Sequence, residues 1–181
     1  MTASDSTRDR VVAAAKTEFA RYGIAGARIE RIAKAAKTSK ERLYAYFRGK
    51  EELYRFVAGQ ELTAAAEATR MDPADLPGYA GRLHDYWVAH PERYRLMSWG
   101  RLEFDTIDEV TRETMTRKLG QLREAQAAGL VDPAWDPMDV MMFVNQIATT
   151  WAGQPVAETA REARRAAVVE AVARLFPAGG A

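Results

Sequence analysis

The chain has 181 residues, of which 48% are hydrophobic and 28% charged, enough to bury a core as one large domain or two small ones. It has no cysteine, which excludes a disulfide framework and thiol chemistry. The opening "MTASDSTRDR" has no apolar segment of the secretory kind, and no apolar run reaches the length of about eighteen that a membrane span needs, so a cytoplasmic protein is expected. The net charge of +1 conceals an asymmetry: residues 1–60 carry 13 Lys and Arg against 7 Asp and Glu, and residues 61–181 carry 13 against 18. A head of +6 on a body of −5 points to a polyanionic partner for the head.

The pattern is helical nearly throughout, because Pro and Gly fall between periodic segments and no β-branched run alternates with period two. The first helix is predicted over Thr7–Tyr22, with Val11, Ala15, Phe19 and Tyr22 as its apolar stripe and Gly23 as its stop. A short helix follows near Ile29–Ala36 and another near Lys40–Phe47. A long one begins at Lys50 and runs to about Met71. After "MDPADLPG", the strongest punctuation in the chain, helices are predicted near Tyr79–Ala89, Pro91–Glu103, Asp108–Ala128, Pro137–Ala152 and Glu158–Phe176. The expected fold is all-α with about nine helices.

Two short helices joined by about three residues, inside a basic three-helix head, form a helix-turn-helix pattern. In "TSKERLYAYFRGKEEL" (residues 38–53), Leu43 and Phe47 share one side and can pack on Ile32 and Ala36. Arg42 and Tyr46 share another. "TSKE" reads as a capping box, with Thr38 as cap and Glu41 three residues on. One face of the helix holds the head together, and the other offers hydrogen bonds and positive charge to a groove.

The stretch "RIERIAKAAKTSKERLYAYFRGKEELY" resembles the N-terminal signature of the TetR family of bacterial repressors. The matching residues are Ile32-Ala33, Ala36, Ser39, Leu43-Tyr44, Tyr46-Phe47, Lys50-Glu51 and Leu53, and the match covers roughly residues 8–56. The resemblance implies a helix-turn-helix DNA-binding domain (residues 1–49) and a helical ligand-binding and dimerisation domain (residues 50–181). It places Lys40, Arg42 and Tyr44 against bases or nearby phosphates, and Thr38, Ser39 and Tyr46 against phosphates. Lys50 opens a helix whose N-terminus can bind phosphate as well.

The chain departs from the family pattern at several positions. Lys37 and Thr38 replace the usual Gly and small aliphatic of the turn, so Lys37 is expected to adopt a left-handed backbone unless the turn differs. Glu41 and Arg42 replace Gly and Thr. Arg28 replaces a capping Thr or Ser and could meet a phosphate instead. The operator sequence cannot be borrowed from a relative.

The body is rich in Met and aromatic residues, which fill cores and also shape apolar cavities. Trp87, Tyr94, Met97, Phe104, Met142, Phe143 and Gln146 are the candidate lining of a small-molecule pocket. Asn145 and Gln146 need polar partners within "VMMFVNQIATTW", from a ligand, the backbone or a second copy. Ala160, Ala163, Ala167, Ala171 and Leu175 form a small-residue ridge, which with Met141 and Ala148 of the preceding helix could build a two-fold four-helix interface.

Nothing points to catalysis. His84 and His90 are six residues apart and do not share a helical face, and no catalytic, metal or cofactor residues are expected. The expected protein is a homodimeric, DNA-binding transcriptional repressor of near-palindromic operators, released by an unknown small molecule. A regulator with a filled body and no ligand is the alternative, and a small helical enzyme or carrier is a distant one.

Overall fold

The computed structural model describes residues 3–155 and 157–177, and among these the chain forms α-helices and short 3-10 turns without a strand. The helices are α1 (Ala3–Gly26), α2 (Ile29–Ala35), α3 (Lys40–Tyr46), α4 (Lys50–Thr69), α5 (Leu76–Ala89), α6 (Pro91–Glu103), α7 (Glu109–Ala127), α8 (Pro137–Thr149) and α9 (Arg161–Leu175). Each predicted helix is present, and most ends differ by one to three residues because caps set them. Asp75 and Asp136 accept the N–H groups of Gly78 and Met138 at 2.8 and 2.7 Å, and so start α5 and α8. Within α1 the backbone turns at Gly23, whose φ is 70°, a conformation glycine adopts without steric cost.

The chain divides into two compact units, one of Met1–Thr63 with Glu92–Asp108 and the other of Ala64–Pro91 with Glu109–Ala181. This differs from the expected boundary at residue 50. The reason is packing: Leu53, Tyr54, Val57 and Ala58 of α4 and Leu96 of α6 join Phe19, Ile32, Ala33, Leu43 and Phe47 in one buried cluster. Tyr54 meets Phe19 edge-on at 5.3 Å and donates its hydroxyl to the Leu96 carbonyl at 2.7 Å. Burying a large side chain contributes about 1.5–3 kcal/mol, so this cluster is what makes helices as short as α2 and α3 persist.

In the second unit α5 packs on α8 and α9, and α8 also packs on α7 and α9. Leu76, Tyr79, Ala80 and Leu83 of α5, Val140, Met141, Val144 and Ala148 of α8, and Val168 and Val172 of α9 are buried there. Gly81 permits the close approach of α9: a Cβ at that position would lie 3.1 Å from Val169 and 2.9 Å from Arg165. Asn145 donates to the Met141 carbonyl at 2.7 Å, so its own helix supplies its partner. No described helix is long and apolar enough to cross a membrane.

Candidate nucleic-acid interface

The turn before α3 is built by backbone hydrogen bonds. Ala36 N–H donates to the Ile32 carbonyl at 2.9 Å, Lys37 to Lys34 at 3.1 Å and Thr38 to Ala33 at 3.0 Å. This closure of the α2 C-terminus requires a left-handed residue, and Lys37 supplies it with φ 53°. The reversal sends α3 off at an angle while Leu43 and Phe47 stay buried against α2.

Ser39, not Thr38, caps α3: its Oγ accepts the Arg42 N–H at 3.2 Å. The capping box therefore begins one residue later than the spacing predicts, because Thr38 is consumed in closing the turn. Glu41 is held below the usual carboxylate range, first by its own backbone N–H and then by the Ser39 hydroxyl.

Arg28 does not cap α2 with its side chain. Its backbone N–H donates to Glu18 Oε1 at 2.9 Å, and the same oxygen accepts Arg31 Nε at 2.7 Å. Glu18, nearly buried on α1, thus does the work of the missing Thr or Ser. Its role spans two helices, and no local motif marks it.

The eight residues expected at DNA separate into three groups. Arg42 and Arg28 are exposed and their guanidinium groups bond to no side chain among the described residues, and Tyr44 is 46% exposed, so all three are open to solvent. Lys40 is exposed but its Nζ lies 2.7 Å from Glu30 Oε1. That contact holds Glu30 below the usual carboxylate range and raises Lys40, so a phosphate must compete with a carboxylate for this ammonium.

The remaining expected residues are tied into the head itself. Lys50 donates to the carbonyls of Ala25 and Ala27 at 3.1 and 3.2 Å, because carbonyls left over at the end of α1 attract a cation. Tyr46 is half-buried against the core, and Thr38 and Ser39 serve the turn and the cap. Lys34, Lys37 and Arg48 lie outside the expected set of DNA contacts, yet all three are exposed and none forms an ion pair among the described residues. Their signal was the same run of basic residues that marks the motif.

The expected pocket residues do not converge within either unit. Tyr94, Met97 and Phe104 belong to the first unit, where Met97 and Phe104 pack on the buried cluster of the head. Trp87, Met142, Phe143 and Gln146 belong to the second. Trp87 is buried on α5, while Met142 and Phe143 are each 43% exposed and Gln146 is exposed. Helical periodicity identified an apolar face on α8, but the buried side of it is Val140, Met141, Val144 and Ala148.

The same burial corrects two expected interface residues: Met141 and Ala148 are 5% and 0% exposed in the unit's own core and leave no surface for a second copy. Ala163, Ala167 and Ala171 are exposed along α9, and Ala160 and Leu175 are half-buried. No cluster of three or more metal-ligating side chains occurs among the described residues.

Comparison with known proteins gives this geometry its context. Residues 11–57 match the family described as "Bacterial regulatory proteins, tetR family", and residues 75–174 match "Tetracyclin repressor-like, C-terminal domain". HTH-type transcriptional repressor SCO4008 of Streptomyces coelicolor is 38% identical over 152 residues, covering 82% of this chain and 79% of that protein. The crystal structure of SCO4942 from Streptomyces coelicolor is 58% identical, with a TM-score of 0.83 over 94% of this chain and 98% of its own. AibR, solved in complex with isovaleryl coenzyme A and operator DNA, shares the fold at 15% identity, with a TM-score of 0.69 over 95% of this chain and 99% of its own. The chain belongs to the tetR family of bacterial regulatory proteins and is a DNA-binding transcriptional regulator.

Proposed function

We propose that this regulator is a homodimeric repressor that grips a near-palindromic operator through Arg42, Tyr44 and Arg28 and is released by a small molecule. The observation that carries the reading is the state of Arg42: an exposed guanidinium with no side-chain partner among the described residues, on a helix fixed by the Lys37 turn and the Ser39 cap. Such a group reads guanine bidentately at little ordering cost. Lys34, Lys37 and Arg48 supply phosphate contacts around it, and Lys40 joins them when DNA displaces Glu30. Repression is supported by the name of SCO4008 and release by the complex of AibR with a coenzyme A thioester. The protein acts in the cytoplasm, where its DNA is.

The proposed interface is the outward face of α8, with Met142, Phe143 and Gln146, together with Ala163, Ala167 and Ala171 of α9. Paired about a two-fold axis, these helices form an isologous bundle that spaces the recognition helices about one helical turn (roughly 34–36 Å) apart. Light scattering reports a dimer at micromolar concentration, and Phe143→Glu converts it to monomers that do not retard the operator. A stable wild-type monomer overturns the dimer.

The DNA reading is tested by gel shift with the protein's own upstream region. With about six to ten phosphate contacts, affinity falls roughly 10³–10⁵-fold between 50 and 200 mM salt. A flat salt response removes the electrostatic basis of the interface. A releasing compound and the operator must weaken each other's binding by the same factor.

A further inference from the structure

In the second unit Lys118 of α7 reaches α5 and donates to the hydroxyl of Tyr79 at 2.7 Å, its ammonium 5.3 Å from the centre of the Tyr79 ring. Tyr79 is 1% exposed and Lys118 is half-buried. A lysine ammonium drawn partly out of water is helped by an acid partner, and no carboxylate among the described residues pairs with this one. Since the Tyr79 oxygen already accepts from Lys118, its own proton must point elsewhere, and no described residue accepts it. The remaining protons of the ammonium are in the same position.

Two groups that together offer only donors, held on facing helices, form an incomplete hydrogen-bonded site. The surroundings add positive charge: Arg117 lies near Lys118 and Arg82 near Tyr79. Arg82 is itself directed to the carbonyls of Thr69 and Arg70 and to Asp75, the last at 3.5 Å.

We propose that Lys118 and Tyr79 form a binding site for the oxyanion of a small organic acid, carboxylate or phosphate. The inference rests on the reading of the protein as a ligand-released regulator and names the chemical class of the effector. An oxyanion is all acceptor, so it takes the Tyr79 hydroxyl proton and the free ammonium protons at once, and charge-assisted bonds of this kind are the strongest available in a half-buried site. Burial holds Lys118 down to about 8, and a bound anion restores its affinity for the proton. The rest of the ligand is apolar, since Leu76 and Leu83 lie about one turn from Tyr79 along α5, Leu122 lies one turn from Lys118 along α7, and all three are buried.

The test uses full-length protein with lysine Cε labelled for NMR, the Lys118 signal being assigned by its loss in Lys118→Met. Octanoate, benzoate and octyl phosphate are titrated against octanamide and benzamide. At least one anion is expected to shift the Lys118 signal and raise its titration midpoint, and neither amide is. Lys118→Met weakens that anion by roughly thirtyfold or more, and Tyr79→Phe, which keeps the ring and its packing, weakens it less. Silence of the Lys118 signal towards all three anions, or equal affinity for Lys118→Met, overturns the site.

Operator gel shifts run in parallel separate the two claims. An anion that binds at Lys118 and leaves operator affinity unchanged upholds the site and defeats the release reading. Release by an uncharged compound, with Lys118 silent to the anions, does the opposite.

Discussion

The carboxylate of Glu103, near the end of α6, accepts the backbone N–H of Ile24 at 2.8 Å, and its second oxygen accepts that of Ala25 at 2.7 Å. Both donors are freed by the reversal at Gly23, where a Cβ would meet Trp99 at 3.1 Å. No local motif marks Glu103 for this role. A hydrogen bond to a charged acceptor contributes about 1.5–3 kcal/mol, less at an exposed site. Glu103→Ala is therefore expected to lower stability by about 1–2 kcal/mol in urea unfolding, with Glu103→Gln intermediate. A wild-type midpoint for the alanine variant would show that water replaces the carboxylate at no cost.

Arg42 and Lys50 are expected to divide the duties of the head differently from what the family resemblance implies. Arg42→Ala should cost about 1–3 kcal/mol of operator affinity and relax preference at one base position, with unfolding unchanged. Lys50→Ala should instead lower the melting temperature, because it exposes the carbonyls of Ala25 and Ala27 to an empty site, and its loss of DNA affinity should follow the loss of fold. Fluorescence anisotropy on a set of single-base operator variants distinguishes them. Base-specific behaviour by the Lys50 variant would refute this division.

Lys37 holds a positive φ without glycine's freedom. Lys37→Gly should raise stability by up to about 1 kcal/mol by relieving that conformation, offset in part by the entropy of the unfolded glycine. It should also reduce the salt dependence of operator binding by about one unit of slope if Lys37 meets a phosphate. A stabilised variant with an unaltered slope would leave Lys37 with a turn role alone.

Two groups in the second unit make stability depend on pH in the same direction. His84 is 3% exposed, its Nδ1 has no partner among the described residues, and burial holds it below the ordinary histidine value against the opposing pull of Asp85 and of a backbone hydrogen bond at Ala148, with Arg165 nearby. Below about pH 6.5 the unfolded chain takes up a proton that folded His84 resists, so stability falls as pH drops. Lys118, held down to about 8 by burial, is less protonated folded than unfolded between pH 8 and the ordinary value of 10.5, so its contribution rises with pH across that window. Melting temperatures from pH 5 to 10 should show both slopes. Lys118→Met should abolish the alkaline one, and its persistence in that variant would exclude Lys118 as its source.

Much of the helix-turn-helix was legible because it is local. Leu43 and Phe47 lie four apart, Gly23 and Gly49 bracket the two short helices, and the basic residues recur every few positions between them. What was not legible depends on pairings across the chain. Glu18 reaches the start of α2, Glu30 takes Lys40, and Glu103 returns to residues 79 and 78 positions earlier. The period of α8 showed that one side is apolar. It could not say that Met141 faces its own unit while Met142 and Phe143 face out, since neighbouring positions on a strongly apolar helix differ only in what packs against them.

The placement of α6 bears on how this regulator could be rebuilt. A chimera made by cutting after the family match at residue 57 would carry Phe19, Leu53 and Tyr54 without Leu96 above them and without Glu103 to close the turn at Ile24. A functional graft of this head onto another effector body must therefore bring a second, discontinuous segment, residues 92–108, as a matched insert. The modular unit that can be exchanged between such regulators is three-dimensional, and a single crossover in the gene does not transfer it.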